Sequence, residues 1–219
     1  MATAGLSATV MTDPTDQLRV IQWLSPAFPI GSFAYSQGLE TAIIAGDVHD
    51  AATLQAWVTA ILTHGSARTD AILLAHARAG EDLADLATAL VPSAERHTEM
   101  MEQGRAFSQT IASITGTPQP LLPYALAVAH ATRALNLPTE TVLTHWLQAS
   151  AAQLTSVGVR FIPLGQTDGQ RILATLAPLI TQLASEYATA PLSDIGTATI
   201  AADLASMQHE TLPVRIFRT

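Results

Sequence analysis

The chain has 219 residues, of which 48% are hydrophobic and 5% aromatic, and its formal net charge is -8 at pH 7. This charge excludes nucleic acid and anionic membrane surfaces as expected partners, because binding phosphate groups requires a concentration of basic residues. There is no cysteine, so the chain has no disulfide, thiolate metal ligand or cysteine nucleophile, and a cytoplasmic location is compatible with that composition.

The predicted organisation is a disordered leader at 1–14, a helical core domain at 15–195 and a C-terminal docking tail at 196–219. The leader has neither the basic region nor the long apolar run of a signal peptide. Beyond it, apolar spacing predicts helices almost throughout, and no segment alternates with the period of a strand. We therefore expect an all-α fold, a single-domain bundle of about eight to ten helices. Glycine and proline interrupt the uncharged stretch 106–132, so no membrane-spanning helix is expected.

The first unusual segment is SPAFPIGSFAYSQGLET at 25–41, in which two prolines precede a predicted helix. Ser32 is placed to cap a helix that begins near Phe33 and contains Gly38. A glycine inside a helix costs about 1 kcal/mol relative to alanine, and the close approach of another backbone would offset that cost. A tight loop packed into the protein's own core is the alternative interpretation.

That helix would separate two of the polar residues in the segment. Gln37 and Glu40 would share one face, whereas Tyr35 would lie on another. The spacing alone therefore gives no reason for Tyr35 and Glu40 to act together.

Four amphipathic helices follow in chain order. Asp50 is placed to cap a helix with this apolar face: Leu54, Trp57, Val58, Ile61 and Leu62. The next stripe contains Gly104 on the same face and ends at Gly116, with these apolar members: Met100, Phe107, Ile111 and Ile114. Pro138 begins a helix with this core face: Leu143, Leu147, Leu154 and Val157. The last helix carries Pro178 and this stripe: Ile172, Leu176, Leu179 and Leu183.

The second unusual segment is RFIPLGQTDGQR at 160–171. A capping box, in which Thr167 and Gln170 satisfy each other's backbone donors, explains Thr167, Asp168 and Gln170. Capping does not explain three further residues: Gln166, Arg160 and Arg171. The two arginines bracket the turn, and their planar guanidinium groups are suited to binding a carboxylate on a partner.

The third segment, SMQHETLPVRIFRT, ends the chain at 206–219. A short tail of apolar and basic residues has too little core to order itself, so a frayed terminus is one interpretation. The other is a tail that orders on docking, with Ile216 or Phe217 as the buried residue and Arg215 and Arg218 as polar contacts.

Enzyme signatures are missing from the sequence. It contains no GxSxG, GxxxxGK[ST], GxGxxG or HExxH motif, and the seven histidines are not spaced as helical metal ligands. His130 and His145 are interpreted as core or interface residues. Composition and motifs alone therefore indicate a helical interaction protein without a metal site.

Four stretches together carry a resemblance to a known family: SPAFPIGSFAYSQGLE, RHTEMMEQGRAF, RFIPLGQTDGQR and SMQHETLPVRIFR. They occur in the same order and at similar positions as the signature stretches of the UreF family of urease accessory proteins. The resemblance extends from about residue 17 to the end of the chain.

The resemblance implies an all-α, usually dimeric, cytoplasmic chaperone with no catalytic activity. Proteins similar to this chain form a complex with the accessory protein UreD, called UreH in some organisms, and with the nickel-carrying GTPase UreG. The complex assembles the metallocentre of apo-urease. The expected function is that of a scaffold and checkpoint that recruits the GTPase for nickel insertion. The chain itself would bind no cofactor, since nickel and GTP are handled by its partners.

The resemblance also assigns partner-binding residues. They are Tyr35, Gln37, Glu40, Arg160, Gln166, Asp168, Gln170, Arg171, His209, Arg215, Phe217 and Arg218. It places the helix that bears Tyr35 and Glu40 near the C-terminal tail, so that these two residues, Arg215 and Arg218 form one composite interface. The alternative function is a strict GTPase-activating protein that supplies an arginine finger from Arg160, Arg171 or Arg218.

Overall fold

The computed structural model describes residues 13–219. Within this range the chain forms helices and no strand, and the α-helices are α1 (Pro14–Trp23), α2 (Leu39–Ala45), α3 (Ala51–His64), α4 (Ser66–Ala79), α5 (Ala84–Ala89), α6 (Ala94–Thr115), α7 (Tyr124–Thr132), α8 (Thr139–Phe161), α9 (Gln166–Tyr187) and α10 (Ile200–His209). The predicted all-α fold of about eight to ten helices is confirmed. The expected leader lies outside the described residues except for Asp13 and Pro14, which cap and begin α1.

Helix α8 is the centre of the bundle. It packs against α9, α4, α3, α2 and α1, and one apolar core runs through all of these contacts. Its predicted core face is buried as expected: Leu143, Leu147, Leu154 and Val157. Since only four residues connect α8 to α9, the two helices form an antiparallel pair.

The predicted faces of the other helices are largely confirmed. The Asp50 side chain accepts a hydrogen bond from the Thr53 amide and caps α3, and the apolar face of α9 is buried at Ile172, Leu176 and Leu183. Pro178 lies within α9, which continues through it without a break.

In α6 the predicted stripe is confirmed except at its end. Phe107 and Ile111 are buried, but Ile114 is 54% exposed because it lies in the last turn, where the neighbouring residues are also exposed. A Cβ atom at Gly104 would meet the Leu122 carbonyl oxygen, so this glycine lets the connection to α7 lie directly against α6.

The prediction of a helix from Phe33 through Gly38 is wrong. A single 3-10 turn spans Ser32–Ala34, and the chain then adopts left-handed conformations at Gln37 (φ 56°) and Gly38 (φ 81°) before α2 begins at Leu39. The predicted close approach at Gly38 is nonetheless confirmed, because a Cβ there would lie 2.7 Å from the Ser206 amide nitrogen of α10.

The capping box predicted from Thr167 and Gln170 is also wrong. Helix α9 begins at Gln166, with Gly165 as its N-cap, so Thr167 already lies in the first turn. The Asp168 carboxylate accepts a hydrogen bond from the Gly165 amide (3.1 Å). The carboxylate of Asp168, three residues after the cap, takes the role that the sequence analysis assigned to Gln170.

The C-terminal tail belongs to the same body as the helices before it. Helix α10 packs against α2 and α6, and Phe217 joins the main core. The tail is therefore seated on the chain itself, and the frayed terminus is not observed. Within residues 13–219, no helix is both long and apolar enough to cross a lipid bilayer.

Candidate functional site

The last residues of the chain lie against α2 and α6 in an arrangement that we call the clasp. The clasp consists of His209, residues 215–219, the segment 34–40, and three glutamates of α6. Phe217 and Thr219 point inward and are buried, whereas Ile216 is 72% exposed and the Arg218 side chain 58% exposed. This alternation is that of an extended segment with one buried face.

Glu40 is the acceptor at the centre of the clasp. Its carboxylate, 1% exposed, accepts hydrogen bonds from the backbone amides of Ile216 (2.9 Å) and Phe217 (3.0 Å). The His209 ring lies 3.0 Å from it. Burial would raise the pKa of Glu40, but the bonds from His209 and the two amides outweigh it and hold the pKa below its ordinary value.

His209 lies between two carboxylates and is fully buried. Its Nε2 is 3.0 Å from Glu40, and its Nδ1 is 2.7 Å from Glu95. Each ring nitrogen therefore contacts the carboxylate of a different helix. Arg215 binds the other oxygen of Glu95 at 2.5 Å. From α2 to the tail, acidic and basic side chains therefore alternate in the order Glu40, His209, Glu95 and Arg215. Each has a neighbour of the other kind, which compensates the cost of its burial.

Tyr35 and Arg218 meet at Glu102. The Tyr35 hydroxyl donates to Glu102 (2.6 Å), and the Arg218 guanidinium lies 2.8 Å from the same carboxylate and 5.4 Å from the centre of the tyrosine ring. The hydrogen bond from Tyr35, with that from Arg218, lowers the pKa of Glu102. Burial and the adjacent carboxylate raise the pKa of Tyr35, so its hydroxyl remains a donor.

Thr219 binds Glu99, the middle one of the three glutamates of α6. Its hydroxyl donates to the buried Glu99 (3.1 Å), which also accepts from the Gln37 side chain (3.0 Å). The Ser36 amide donates to the Thr219 carbonyl oxygen (2.9 Å). The oxygen of Glu99 that accepts from Thr219 also forms an ion pair with Arg96 of the same helix. The left-handed conformation of Gln37 directs its side-chain amide toward Glu99, the residue that binds Thr219 of the tail.

Phe217 fills an aromatic socket at the end of α8. Its ring centre lies 5.6 Å from that of Phe161, and the Arg160 guanidinium stacks 4.5 Å from it. Arg160 also donates to the Phe33 carbonyl oxygen (2.8 Å). Arg160 thus connects α8, the 3-10 turn and the tail. In this structure its guanidinium group makes contacts within the chain, with Phe33 and Phe217.

The structure corrects the separation of Tyr35 from Glu40. Because the backbone turns at residues 36–38 instead of continuing as a helix, both side chains lie beneath the tail. The clasp therefore unites Tyr35, Gln37, Glu40 and four predicted tail residues: His209, Arg215, Phe217 and Arg218. Arg160 joins them through Phe217.

The four predicted residues of α9 lie elsewhere. Asp168 and Arg171 form an exposed ion pair within the first turns of α9 (2.7 Å). Gln166 and Gln170 line a cavity between α8, α9 and the segment before the 3-10 turn. Across residues 13–219, none of these four side chains hydrogen-bonds to the tail.

The three glutamates of α6 were missed by the sequence interpretation, although a signal was present. Glu95, Glu99 and Glu102 follow the i, i+4, i+7 spacing and share one helical face. A line of three carboxylates indicates a basic partner, and the chain has such a segment in its own last five residues. In the part of the chain that the structure describes, no group of three or more His, Asp or Glu side chains is arranged to hold a metal ion.

Comparison with known proteins identifies the family. The UreF family model matches residues 48–177. A protein of Cereibacter sphaeroides strain KD131 is 55% identical over 205 residues, which cover 92% of this chain and 98% of that protein. One from Dinoroseobacter shibae is 48% identical over 206 residues, covering 93% and 98%, and one from Bradyrhizobium sp. strain BTAi1 is 44% identical over 218 residues, covering 92% and 91%.

All three relatives carry the name urease accessory protein UreF. The matches include the segment that forms most of the helical body and extend over more than nine tenths of the chain. The chain therefore belongs to the UreF family of urease accessory proteins, a family of accessory proteins and not of enzymes.

Proposed function

We propose that the chain is a scaffold and checkpoint for urease activation, which recruits a nickel-carrying GTPase of the UreG type to a complex of a UreD- or UreH-type protein with apo-urease. Nickel is the cargo of this assembly, and both nickel and GTP are bound by the partners. The chain acts in the cytoplasm as a homodimer. The names of the relatives support a role in urease maturation.

The observation that carries the proposal is the composite nature of the clasp. Segments separated by more than 170 residues meet there, as in the hydrogen bond from the Arg218 amide to the Ala34 carbonyl oxygen (2.7 Å). The outer surface exists in this form only while the tail is seated. A partner that binds this surface would therefore distinguish a seated tail from a released one, which is the property required of a checkpoint.

The chemistry of the outer surface suits protein recognition. Arg218 and Arg215 have partly exposed side chains, and Ile216 of the clasp is exposed together with two large apolar residues that directly precede its segments, Phe33 and Val214. Aromatic residues and arginine are the residue types enriched at the energetic centres of protein interfaces.

Co-purification of the GTPase with the urease complex tests the role of this surface. Arg218→Ala removes an arginine whose side chain is 58% exposed and paired with one acidic residue, and Arg19→Ala removes a matched arginine of α1, 53% exposed and also paired. We expect Arg218→Ala to reduce recruitment of the GTPase and Arg19→Ala to leave it unchanged. Equal recruitment by the two variants would contradict the proposal.

Removal of residues 209–219 tests the contact with the UreD-type partner. The deletion takes away the donors of Glu40 and the Thr219 hydroxyl that donates to Glu99, but leaves the helices of the main core. We expect circular dichroism to report retained helix while the UreD-type protein co-purifies less efficiently. An unchanged pull-down with the shortened chain would count against a docking role for the tail.

A second function, activation of GTP hydrolysis by an arginine finger, is favoured by one observation. Among residues 13–219, the one ion-pair partner of Arg171 is Asp168, and its side chain is 72% exposed, whereas Arg160 and Arg218 are engaged in the clasp. An arginine finger accelerates hydrolysis by about 10³ to 10⁵. Single-turnover GTP hydrolysis by the partner separates the two functions, since only the finger predicts an acceleration that Arg171→Ala abolishes.

A further inference from the structure

A surface groove of about 220 Å³ borders the clasp at the beginning of α6. Its lining consists of Tyr35, Ala94, Glu95, Thr98, Glu210 and Arg218. These residues come from three parts of the chain: the segment before α2, the first turns of α6, and the stretch from the end of α10 to the tail. The groove therefore has this lining only while α10 and the tail are seated.

Glu210 is held in a fixed position at one wall of the groove. Its Oε1 accepts hydrogen bonds from the backbone amides of Ala94 (2.8 Å) and Glu95 (3.4 Å) at the N-terminus of α6. Among residues 13–219, Glu210 has no ion-pair partner. A helix N-terminus carries roughly half a positive charge, which leaves the Glu210 carboxylate with a net negative charge beside the groove.

The other two charged residues of the lining are already paired. Glu95 binds Arg215 at 2.5 Å, and the two terminal nitrogens of Arg218 contact the carboxylate of Glu102 at 2.8 and 3.3 Å. An anion in the groove would meet two carboxylates, and the one guanidinium there is already neutralised. Charge complementarity therefore favours a cation, with Glu210 as its counter-charge.

The exposed part of the lining suits a long basic side chain. Ala94, Thr98 and Glu210 are all exposed, so an occupant reaches them from solvent. The Thr98 hydroxyl donates to the Ala94 carbonyl oxygen (3.0 Å), which leaves its own oxygen free to accept a hydrogen bond. Lysine and arginine carry an alkyl stem that packs on small apolar groups, such as those of Ala94 and Thr98, while the charged end binds a carboxylate.

We propose that the groove receives a lysine or arginine side chain of the UreG-type GTPase, which forms an ion pair with Glu210. The inference rests on the proposed function, in which the outer surface of the clasp recruits that GTPase. It adds the chemical group that is recognised. Because Arg218 forms one wall and Glu210 another, the basic side chain finds its complete site only when the tail is seated.

The first test compares two substitutions that each remove one negative charge. Glu210→Gln keeps an oxygen for the Ala94 and Glu95 amides, and the control Glu140→Gln removes a carboxylate from the exposed first turn of α8. Biolayer interferometry measures binding of the GTPase to the complex of the full chain with the UreD-type protein. We expect about tenfold weaker binding for Glu210→Gln and no change for the control, with urea titrations confirming that both variants are folded.

Salt dependence supplies a readout that a purely structural role of Glu210 would not change. Salt screens exposed charges, with a Debye length of about 10 Å at 0.1 M and about 3 Å at 1 M. Added salt should therefore weaken GTPase binding more steeply for the wild type and Glu140→Gln than for Glu210→Gln. Equal affinity, or parallel salt dependence in all three proteins, would overturn the proposal.

A double-mutant cycle identifies the basic residue on the GTPase. Each of its lysines and arginines is replaced by alanine, and binding is measured to the wild type and to Glu210→Gln. One substitution should cost about tenfold with the wild type and nothing further with Glu210→Gln. Equal costs in both backgrounds for every substitution would overturn the ion pair.

The failure of this inference is distinguishable from failure of the proposed function. If Arg218→Ala reduces recruitment of the GTPase but Glu210→Gln does not, the clasp is a docking surface and the groove is not its basic-residue site. If neither variant reduces recruitment, the proposed function fails and the inference fails with it.

Discussion

The carboxylate of Glu40 accepts a hydrogen bond from the backbone amide of Phe217 at 3.0 Å, across 177 positions of the chain. Both groups are buried, and the same carboxylate contacts Ile216 and His209. One side chain at the start of α2 thus fixes the backbone of the tail. The stability of the clasp depends on this carboxylate more directly than on the exposed arginines.

Glu40→Gln is expected to loosen the tail. The amide carries no negative charge, and its NH₂ group would face the backbone donors of the tail, so we expect a loss on the order of 2–4 kcal/mol. Hydrogen exchange should show faster exchange of the Ile216 and Phe217 amides. The control is Glu140→Gln in the exposed first turn of α8, which should change stability by less than about 0.5 kcal/mol. Unchanged exchange in Glu40→Gln would contradict the central role of Glu40.

Acid is expected to release the clasp. The pKa of Glu40 is lower in the folded protein than its ordinary value of 4.5, so the folded state favours the ionised form. The resulting stabilisation is fully present above about pH 4.5 and is lost as the pH falls through the folded pKa. Denaturant titrations between pH 7 and 3 should show a smaller acid loss in Glu40→Gln than in the wild type or in Glu140→Gln. Parallel curves for all three proteins would exclude Glu40 as a source of the acid sensitivity.

Gly38→Ala is expected to destabilise the contact between α2 and α10. Gly38 has a φ of 81°, and an added Cβ would lie 2.7 Å from the Ser206 amide nitrogen. Gly46 is a matched control, with a φ of 85° and nothing within 4 Å of an added Cβ. Gly46→Ala should cost about 1 kcal/mol from the left-handed backbone alone, and Gly38→Ala should cost at least about 1–2 kcal/mol more. Equal midpoints in urea would show that α10 does not depend on close approach at Gly38.

Asp70→Asn is expected to stabilise the protein above neutral pH. Burial raises the pKa of Asp70 to about 6 from its ordinary 3.8, even though Arg96 lies nearby. The folded state therefore holds the proton more tightly than the unfolded state, so this contribution to stability decreases as the pH rises from about 4 through 6. Asparagine cannot ionise, and its advantage in a urea titration should be larger at pH 8 than at pH 4. The exposed Asp47→Asn serves as control, and an advantage that is independent of pH would refute this role of Asp70.

The sequence predicts the helices well where one apolar face meets the core. Asp50 caps α3, Gly116 ends α6 and the face of α8 is buried, because capping and periodicity are local properties. The resemblance to the UreF family also grouped Tyr35 and Glu40 with the tail arginines, which periodicity alone had separated.

The turn before α2 could not be predicted from local pattern. Gln37 adopts a left-handed conformation that side chains other than glycine rarely take, and it does so where its backbone amide meets Thr219 (3.2 Å). The conformation therefore depends on a contact across 182 positions. The α6 glutamates, in contrast, could have been identified from the sequence, because their i, i+4, i+7 spacing is visible there. The basic tail is the partner that such a line of carboxylates indicates.

The contacts of the clasp also fix the number of residues between His209 and the buried Phe217. His209 is held at the end of α10 by two carboxylates, and Arg215 must reach one of the same two. Because inward and outward side chains alternate after Arg215, an insertion of one residue there would turn the phenylalanine ring toward solvent and place the isoleucine against Phe161 and Arg160 instead. The length of the final segment is thus under as strict a constraint as its composition, and chains that differ only by one residue in this stretch should differ in whether the tail can seat at all.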